Sequence, residues 1–360
     1  MAMHKKRIAI LAPYPSGEAP SQRFRFEQYL SILEENGYEY AVFPFLDLDT
    51  WNHYYSKGKF LKKTLGFSKG FFKRLILLFT IRKYDHVFIH REASPIGPPI
   101  FEFIISKLLG KKYIYDFDDA IWMANYSQNN ARFHRLKAYW KVKYCIKWAG
   151  KVSAGNEYLA SYAREFNTDV HIIPTSIDTE NHHNSIIDYQ KEQLTIGWTG
   201  THSTLRYLLP LLPVFKSISE KYNVPLVVIS NENPHFDLAN FTFIQWKKAS
   251  EIEDLKQISI GVMPLEMDQW SEGKCGFKGL QYMALGIPTV VSPVGVNKEI
   301  VDHGINGFLA TDLAEWQLYL EQLILDPALR EKIGRSGHQK VMANFSVLAI
   351  KNKFLQLFIK

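Results

Sequence analysis

Short apolar runs alternate with segments of helical periodicity along the first half of the chain. The run "RIAILAP" (Arg7–Pro13) is almost continuously apolar, which is typical of a strand buried on both faces of a parallel sheet. The segment "RFRFEQYLSILEENG" follows with a helical pattern that ends at Gly37. Further strands are predicted at "YEYAVFPF", "HVFIH", "KYIYDF", "KVSAG" and "DVHIIP". This alternation indicates a doubly wound α/β domain with right-handed crossovers.

The alternation resumes after a polar, turn-rich stretch, "HIIPTSIDTENHHNSIIDYQKEQ", which predicts a connection between two domains. Strands are then predicted at "LTIGWTG", "PLVVIS", "FTFIQW", "IGVMPL", "PTVVSP" and "GFLAT". The sequence therefore predicts an α/β protein of two Rossmann-like domains, residues 1–185 and 186–345. They are expected to face each other across a cleft, with ligands at the carboxyl ends of both sheets. A length of 360 residues, too long for one ordinary core, agrees with this division.

Composition narrows the class of protein. An apolar content of 46% with 22% charged residues is ordinary for a soluble globular protein. No apolar run reaches the ~18–20 residues that span a bilayer, and the first residues lack the apolar region of a secretory signal. Two cysteines, Cys145 and Cys275, give neither a disulfide framework nor a zinc site, and predict a cytoplasmic protein.

The net charge of +7 is concentrated in two segments of the first half. Nine basic residues and no acidic ones lie between Thr50 and Tyr84, and seven more, again without an acid, between Ala120 and Asn156. Sixteen of the 43 basic side chains are in these segments. The rest of the chain has 27 basic and 36 acidic side chains and therefore a negative net charge. Such asymmetry predicts an anionic partner, which is a membrane surface, a nucleic acid or a phosphorylated substrate.

Candidate chemistry appears in "GKCGFKGLQYMALG" (Gly273–Gly286). Glycines let backbone amides approach a ligand, a helix N-terminus carries partial positive charge, and Lys274 and Lys278 add full charges. This combination can hold a diphosphate. The alternative is an ordinary glycine-rich turn between a strand and a helix.

The longer stretch "GKCGFKGLQYMALGIPTVVSPVGVNKEIVDHGINGFL" resembles the donor-side signature of the group-1 (family 4) retaining glycosyltransferases of GT-B fold. The segments "YDFDDAIW", "AGNEYLASYA", "IIPTSID" and "IGWTGTHST" agree with that family in order and spacing. The resemblance implies an acceptor-side first domain and a nucleotide-sugar-binding second domain. It also implies that the last helix, residues 346–360, packs back on the first domain.

The resemblance also implies a donor site. Its members are the loop residues Thr199, Gly200, Thr201 and Ser203, the turn residues Glu272, Lys274, Gly276 and Phe277, and the helix residues Lys278 and Gln281. The family carries a glutamate that contacts the nucleotide ribose where this chain has Gln281, and Gln281 can still bond a hydroxyl. The hydroxyls of Thr201 and Ser203 have an alternative role as helix N-caps.

The stretch "YDFDDAIW" places three carboxylates at the end of a predicted strand. Asp118 and Asp119 are predicted to position hydroxyls of the acceptor or sugar and, with Lys278, are the candidate catalytic residues. The alternatives are a helix cap with a turn carboxylate, or an Asp-x-Asp metal site formed by Asp116 and Asp118. No metal or cofactor is expected, because the donor signature belongs to a metal-independent architecture.

Three other charged residues are candidates for the acceptor side. Arg23 and Arg25 stand near the end of the first loop, where a guanidinium can bind phosphate, unless both belong to a solvated first helical turn. Glu92, in "HREASPIG", binds the acceptor or takes part in a structural ion pair. His182 and His183 show no metal spacing and are expected at the surface.

The predicted function is transfer of a sugar from a nucleotide sugar to a hydroxyl of a glycan or lipid-linked acceptor, with retention, in cell-surface polysaccharide synthesis. No nucleic-acid partner is expected. Two alternatives are a nucleotide-sugar 2-epimerase of the same fold and a non-catalytic sugar-nucleotide-binding protein. The stretch "SKGKFLKKTLGFSKGFFKRLILLFTIRK" (Ser56–Lys83) adds a hypothesis of peripheral attachment to an anionic membrane, the alternative being ordinary helices with solvated lysines.

Overall fold

The structure is a computed structural model that describes residues 5–54, 58–124 and 134–359. The chain divides into two compact units. Unit 1 comprises Met1–Thr175 and Ile350–Lys360, and unit 2 comprises Ser176–Ala349. The stretch that the sequence suggested as a connection is therefore part of unit 2 from Ser176 onward, and position 185 lies within that unit.

Unit 1 is built on a parallel sheet with six strands in the described part of the chain, in the order β2-β1-β3-β4-β5-β6. The strands are β1 Lys6–Ala12, β2 Tyr38–Pro44, β3 His86–His90, β4 Ile114–Phe117, β5 Lys151–Ala154 and β6 Val170–Ile172. The helices are α1 Pro20–Arg25, α2 Leu30–Glu35, α3 Leu48–Tyr54, α4 Phe60–Thr80, α5 Ile100–Phe103, α6 Lys141–Trp148 and α7 Glu157–Arg164, with a π-helix at Ile104–Leu108.

Unit 2 repeats the architecture with six described parallel strands in the order β12-β11-β10-β7-β8-β9. The strands are β7 Ile196–Gly200, β8 Leu226–Ser230, β9 Phe241–Gln245, β10 Ile260–Met263, β11 Thr289–Val291 and β12 Phe308–Leu309. The helices are α8 Leu212–Tyr222, α9 Glu251–Leu255, α10 Gln269–Glu272, α11 Phe277–Ala284, α12 Asn297–Ile300, α13 Leu313–Leu325, α14 Pro327–Asn344 and α15 Val347–Gln356, which runs on into unit 1. The predicted strands and the two Rossmann-like domains are thus confirmed.

The helix predicted from Arg23 to Gly37 is interrupted. Helix α1 ends at Arg25, and Phe26 leaves the helical conformation with φ −136° before a short 3-10 turn leads into α2. Both Arg25 and Phe26 are buried by this break. The local pattern indicated one continuous helix because it does not reveal that two consecutive side chains turn inward.

The end of the chain packs on the sheet of unit 1 through aromatic side chains. Phe354 of α15 stacks on Tyr29 with ring centroids 4.3 Å apart and lies 6.1 Å from the ring of Phe88 on β3. Phe358 approaches Tyr38 at 5.8 Å and Phe88 at 6.1 Å. These contacts join the last helix to strands that lie more than 260 residues earlier in the chain.

Truncating Phe354 should destabilise unit 1. The ring is buried, so Phe354→Ala is expected to lower the free energy of unfolding by about 3–5 kcal/mol through lost burial and the cavity left behind. The measurement is denaturant unfolding followed by circular dichroism. Asn352→Ala, an exposed position on the same helix, is the matched control and should change little. Equal unfolding midpoints for both variants would contradict the packing role of Phe354.

Candidate functional site

The loop that follows β7 presents two exposed hydroxyls. Thr201 Oγ1 lies 2.8 Å from Ser203 Oγ, and both residues are exposed. Although Thr201 is at the N-cap position of the next 3-10 helix, its side chain makes no cap hydrogen bond. Gly200 allows the loop to turn over Trp198, because a Cβ there would lie 2.5 Å from the indole ring. Thr199 is buried, and its backbone N–H donates to Tyr282 Oη at 2.8 Å.

Lys278, on the first turn of α11, lies against this loop. Its Nζ is 4.7 Å from the ring centroid of Trp198 and 3.4 Å from Thr204 Oγ1. Trp198 is fully buried, so its ring is held in place and makes a cation–π contact with the ammonium group. The structure therefore brings together the loop and the lysine that the sequence predicted for the donor site.

The electrostatic environment of Lys278 is unfavourable to its own charge. Burial, and secondarily the charge of Lys274, lowers the pKa of Lys278 to about 7. Within the part of the chain that the structure describes, no carboxylate offsets this effect. A cation held in this way gains when an anion binds beside it.

The turn between α10 and α11 supplies the remaining predicted donor residues. Gly276 has φ +67°, and a Cβ there would lie 2.2 Å from Ile300 Cδ1, so both conformation and space favour glycine. Phe277 begins α11, whose first-turn amides have no carbonyl partner within the helix. Lys274 Nζ lies 5.0 Å from the Trp270 ring, and Glu272 is the last residue of α10.

Gln281 lies one turn further along α11 than Lys278, on the same side of the helix. Its side chain is buried, and its Nε2 lies 3.4 Å from His183 Nε2. The prediction that His183 is at the surface is wrong, because the segment after Ser176 belongs to unit 2, where that ring is completely buried. The neighbouring His182 is half-buried.

In unit 1, Asp116 forms the centre of a buried polar cluster. The strand register places His90, Asp116 and Ser153 in one row across β3, β4 and β5. His90 Nδ1 lies 2.8 Å from Asp116 Oδ2, Ser153 Oγ donates to Oδ1 at 2.6 Å, and Arg25 pairs with both oxygens. Arg25 also donates to the carbonyl of Ile173.

This cluster determines what Asp116 and Arg25 can do. Burial alone would raise the pKa of Asp116, but the charge of Arg25 and the hydrogen bond from His90 outweigh it and hold the pKa well below its usual range. The Asp-x-Asp metal pair of Asp116 and Asp118 is not formed, since Asp116 is enclosed by protein partners. Arg25 is not solvated as the alternative required, and its guanidinium is bound inside the domain rather than presented to a ligand.

The two aspartates after β4 are held by one arginine. Arg91 Nη2 lies 2.7 Å from Asp118 Oδ1 and 2.7 Å from Asp119 Oδ2, and all three side chains keep some exposure. Arg91 has a φ of +59°, which is strained for a residue with a side chain. Its backbone N–H donates to the Asp116 carbonyl at 2.6 Å, and Tyr115 Oη donates to its carbonyl.

The other predicted acceptor residues are in separate surroundings. Glu92 Oε2 forms an ion pair with Lys141 Nζ at 2.8 Å, as the structural alternative anticipated. Arg23 is buried, with its guanidinium 5.1 Å from the ring of Phe24, so it is not on a solvated helical turn either. Across the residues that the structure describes, no group of three His, Cys, Asp or Glu side chains could hold a metal ion.

Sequence reasoning missed two residues that support the Lys278 region, and it placed Arg91 at the end of a strand without revealing its two partners. Trp198 and Tyr282 support the Lys278 region, and Arg91 clamps Asp118 and Asp119. Trp198 stands inside the quoted segment "IGWTGTHST", but its alternation indicated only a buried strand position. No sequence signal marks the left-handed conformation of Arg91.

Comparison with known proteins identifies a family match in the region of unit 2 that contains Lys278 and the loop after β7. Residues 193–326, a little over a third of the chain, match the family model described as "Glycosyl transferases group 1". Spore coat protein SA of Bacillus subtilis is 27% identical over 122 residues, which cover 33% of this chain. The match spans only 32% of the length of that relative.

Solved structures match over nearly the whole chain. Sucrose-phosphate synthase from Thermosynechococcus elongatus aligns with a TM-score of 0.74 and 14% identity over 98% of both chains. Anabaena HepE in complex with UDP and glucose aligns at 0.64 and 14% over 98% of this chain and 99% of its own. The catalytic domain of starch synthase IV from Arabidopsis thaliana, bound to ADP and acarbose, aligns at 0.68 and 11% over 98% of both.

These matches confirm the fold, and the family match falls on the region where the sequence signature is densest. It contains the loop after β7, the turn before α11 and Lys278. The comparisons support a glycosyltransferase. The chain therefore has the GT-B fold, and its residues 193–326 carry the resemblance to the group-1 glycosyltransferases that its sequence predicted.

Proposed function

We propose that this protein transfers a sugar from a nucleotide diphosphosugar to a hydroxyl of a glycan or lipid-linked acceptor, with retention at the anomeric carbon. A hexose is the proposed sugar class and cell-surface polysaccharide synthesis the proposed role. One observation carries the proposal. It is the position of Lys278 at the start of α11, beside the hydroxyl-bearing loop after β7.

The donor diphosphate is proposed to bind at this lysine. Its oxygens would accept from the first-turn amides of α11 and from the hydroxyls of Thr201 and Ser203. Gly200 and Gly276 fit the tight backbone of the two segments that carry these donors. Solved relatives of this fold bind such ligands, among them Anabaena HepE with UDP-glucose. Glu272, Lys274, Phe277 and Gln281 are proposed to complete the donor site, with Gln281 directed to the ribose.

Charge stabilisation is the proposed source of catalysis on the donor side. When the bond between the anomeric carbon and the β-phosphate oxygen breaks, negative charge develops on the departing diphosphate. Lys278 would neutralise it from a fixed position, because the Trp198 ring and the α11 backbone are already in place. Preorganised charge of this kind needs no rearrangement during the reaction.

Unit 1 is proposed to bind the acceptor. Asp118 and Asp119 keep some exposure in this clamp, and a carboxylate oxygen can accept a hydrogen bond from an acceptor hydroxyl. The strained clamp of Arg91 would hold both carboxylates in fixed directions. Arg23 and Glu92 remain proposals for the acceptor side, whereas Arg25 is left out because Asp116 holds it.

The sugar nucleotide can be identified by thermal shift. UDP-, GDP- and TDP-sugars are compared at equal concentration, and the true donor should raise the melting temperature most. Product analysis with that donor, with and without an oligosaccharide or lipid-linked acceptor, then tests transfer. Appearance of an epimer without acceptor would replace the proposal with the epimerase alternative.

Removing the charge of Lys278 should impair the reaction strongly. Lys278→Ala is expected to lower kcat by roughly 100-fold, which is typical of losing one electrostatic contact to the developing charge. Steady-state kinetics with the identified donor provide the measurement. Lys332→Ala, which removes an exposed lysine of α14, is the control and should behave as wild type. Unchanged kinetics in Lys278→Ala would refute the assignment.

Nucleotide affinity should depend on pH through Lys278. With a pKa of about 7 in the free protein, the lysine is charged below pH 7 and neutral above it. A bound diphosphate raises that pKa, so affinity should weaken between pH 7 and 9, by up to about tenfold per unit. Calorimetry with the identified nucleoside diphosphate measures this. Lys278→Arg, which stays charged, should show a flat profile, and a flat wild-type profile would contradict the prediction.

The aspartates should affect turnover and not donor binding. Asp119→Asn keeps the shape of the side chain but removes its charge, and we expect kcat to fall roughly tenfold or more while nucleotide affinity is retained. Full activity is expected in excess EDTA. Loss of activity with EDTA and its return with manganese would instead support the alternative of an Asp-x-Asp metal site at Asp116 and Asp118.

A further inference from the structure

Helix α4 is fixed in unit 1 by one of its faces. Gly66 and Gly70 are buried against Thr50 and Phe45, respectively, so closely that a Cβ at either position would collide with those side chains. Arg74, on the same face, donates to the carbonyls of Ala12, Phe43 and Ala93 at 2.8–2.9 Å. These contacts determine the rotation of the helix about its axis and hence which residues face outward.

The opposite face of α4 is apolar and exposed. Its side chains are between 51% and 87% exposed and recur at intervals of three, four and seven residues, which places them on one side of the helix: Leu61, Leu65, Phe72, Ile76 and Phe79. Lys62, Lys69 and Lys73 follow one edge of this stripe at spacings of seven and four. Of these, Lys69 also pairs with Asp47 at 2.6 Å.

Two neighbouring helices extend this surface. The connections from β2 to β5 all run in one direction across the sheet, so right-handed crossovers place α4, α5 and α6 on the same side. The rings of Phe71 and Phe101 are 5.9 Å apart, and those of Phe103 and Trp148 are 5.4 Å apart. The three helices therefore form one continuous layer.

The outer side of α5, the π-helix and α6 has the same character as that of α4. Phe103 of α5 is about half exposed, and so is Trp140, which directly precedes α6. Ile100 of α5 and Leu108 of the π-helix are exposed as well. Exposed lysines stand between these apolar side chains, namely Lys107, Lys143 and Lys147. We call this continuous surface of α4, α5, the π-helix and α6 the helical face.

The helical face carries cations and no exposed carboxylate in the helices that the structure describes. Glu102 is the one acid within Phe60–Thr80, Ile100–Leu108 and Lys141–Trp148, and it is buried with its Oε1 accepting the Ala93 N–H at 2.8 Å. Both basic segments of the sequence contribute to this layer. Ser56 and Lys57 of the first segment and Arg132 of the second lie outside the described residues.

We propose that the helical face docks on the surface of a lipid bilayer that contains anionic lipids. Lysines beside the apolar stripe would meet the headgroups, while Leu65, Phe72 and Phe79 enter the boundary of the acyl chains. Trp140 suits the same depth, since indole rings favour the membrane interface. A nucleic acid would match the lysines but not the exposed leucine and phenylalanine side chains.

This docking does not depend on the proposed sugar transfer. None of the described helices is long and apolar enough to cross a membrane. The 21 residues of α4 make up the largest part of the helical face. The donor site is proposed on residues of unit 2, whereas the helical face belongs to unit 1, so the two proposals use different residues. A thermal shift with a nucleotide sugar therefore reports on the donor site independently of vesicle binding.

Sedimentation with vesicles tests the proposal on the full chain. The protein should pellet with phosphatidylcholine vesicles that contain phosphatidylglycerol, remain in the supernatant with phosphatidylcholine alone, and be released from the mixed vesicles by high salt. No binding to the mixed vesicles at low salt would overturn the proposal.

Surface variants locate the contact. Phe72→Ser combined with Phe79→Ser should weaken binding at least roughly tenfold, because each exposed ring would otherwise be buried in lipid. Lys62→Gln with Lys73→Gln should weaken it further, by about fivefold for each charge removed. Leu318→Ser with Leu325→Ser, exposed apolar positions on α13, is the matched control. Equal loss of binding in the control and the test variants would overturn the assignment to the helical face.

A fluorescent probe distinguishes lipid contact from self-association. Cys145 and Cys275 are buried, so Phe79→Cys offers an accessible thiol for an environment-sensitive dye. Its emission should shift to the blue with mixed vesicles, whereas dye at Leu318→Cys should not respond. A shift that appears with protein concentration alone, together with a dimer in sedimentation velocity, would show that a second copy covers the face and would overturn the proposal.

Discussion

The carboxylate of Asp116 is buried at the carboxyl end of β4, and Arg25 supplies the charge that makes this position tolerable. An unpaired carboxylate in such a place would be strongly destabilising, and removing one partner of a buried pair typically costs about 3–5 kcal/mol. The strand register aligns His90, Asp116 and Ser153 on neighbouring strands, and Arg25 forms an ion pair with the central member of this row. The pair therefore joins α1 to three adjacent strands.

The arrangement of the neighbouring loops depends on this anchor. Asp118 and Asp119 leave the sheet two and three residues after Asp116, and the Arg91 N–H donates to the Asp116 carbonyl. The clamp of Arg91 on the two aspartates is thus built on the same strand end as the buried pair. Its left-handed conformation persists because backbone contacts on both sides of the residue hold it.

Local patterns predicted much of the fold because strand burial and helix termination are properties of short segments. The strands appeared where apolar runs lay between turn residues, and the glycine-rich turn before α11 was visible for the same reason. The roles of charged residues were less predictable. Arg25 finds its partner 91 positions away and Arg74 finds carbonyls on separate strands, so neither local composition nor periodicity distinguishes them from solvated or ligand-binding arginines.

The region around Lys278 shows the same limit and gives it a functional meaning. Its glycines and helix start could be recognised within a dozen residues, whereas Trp198 and Thr204 come from a segment more than 70 residues earlier. Their contribution is to enclose the half-buried lysine, and this desolvation lowers its pKa to about 7. Arg25 and Lys278 are thus opposite solutions to the burial of a cation. The first is neutralised by Asp116 and serves the fold. For the second, the described residues supply no neutralising carboxylate, and this is the condition under which binding an anionic ligand becomes favourable.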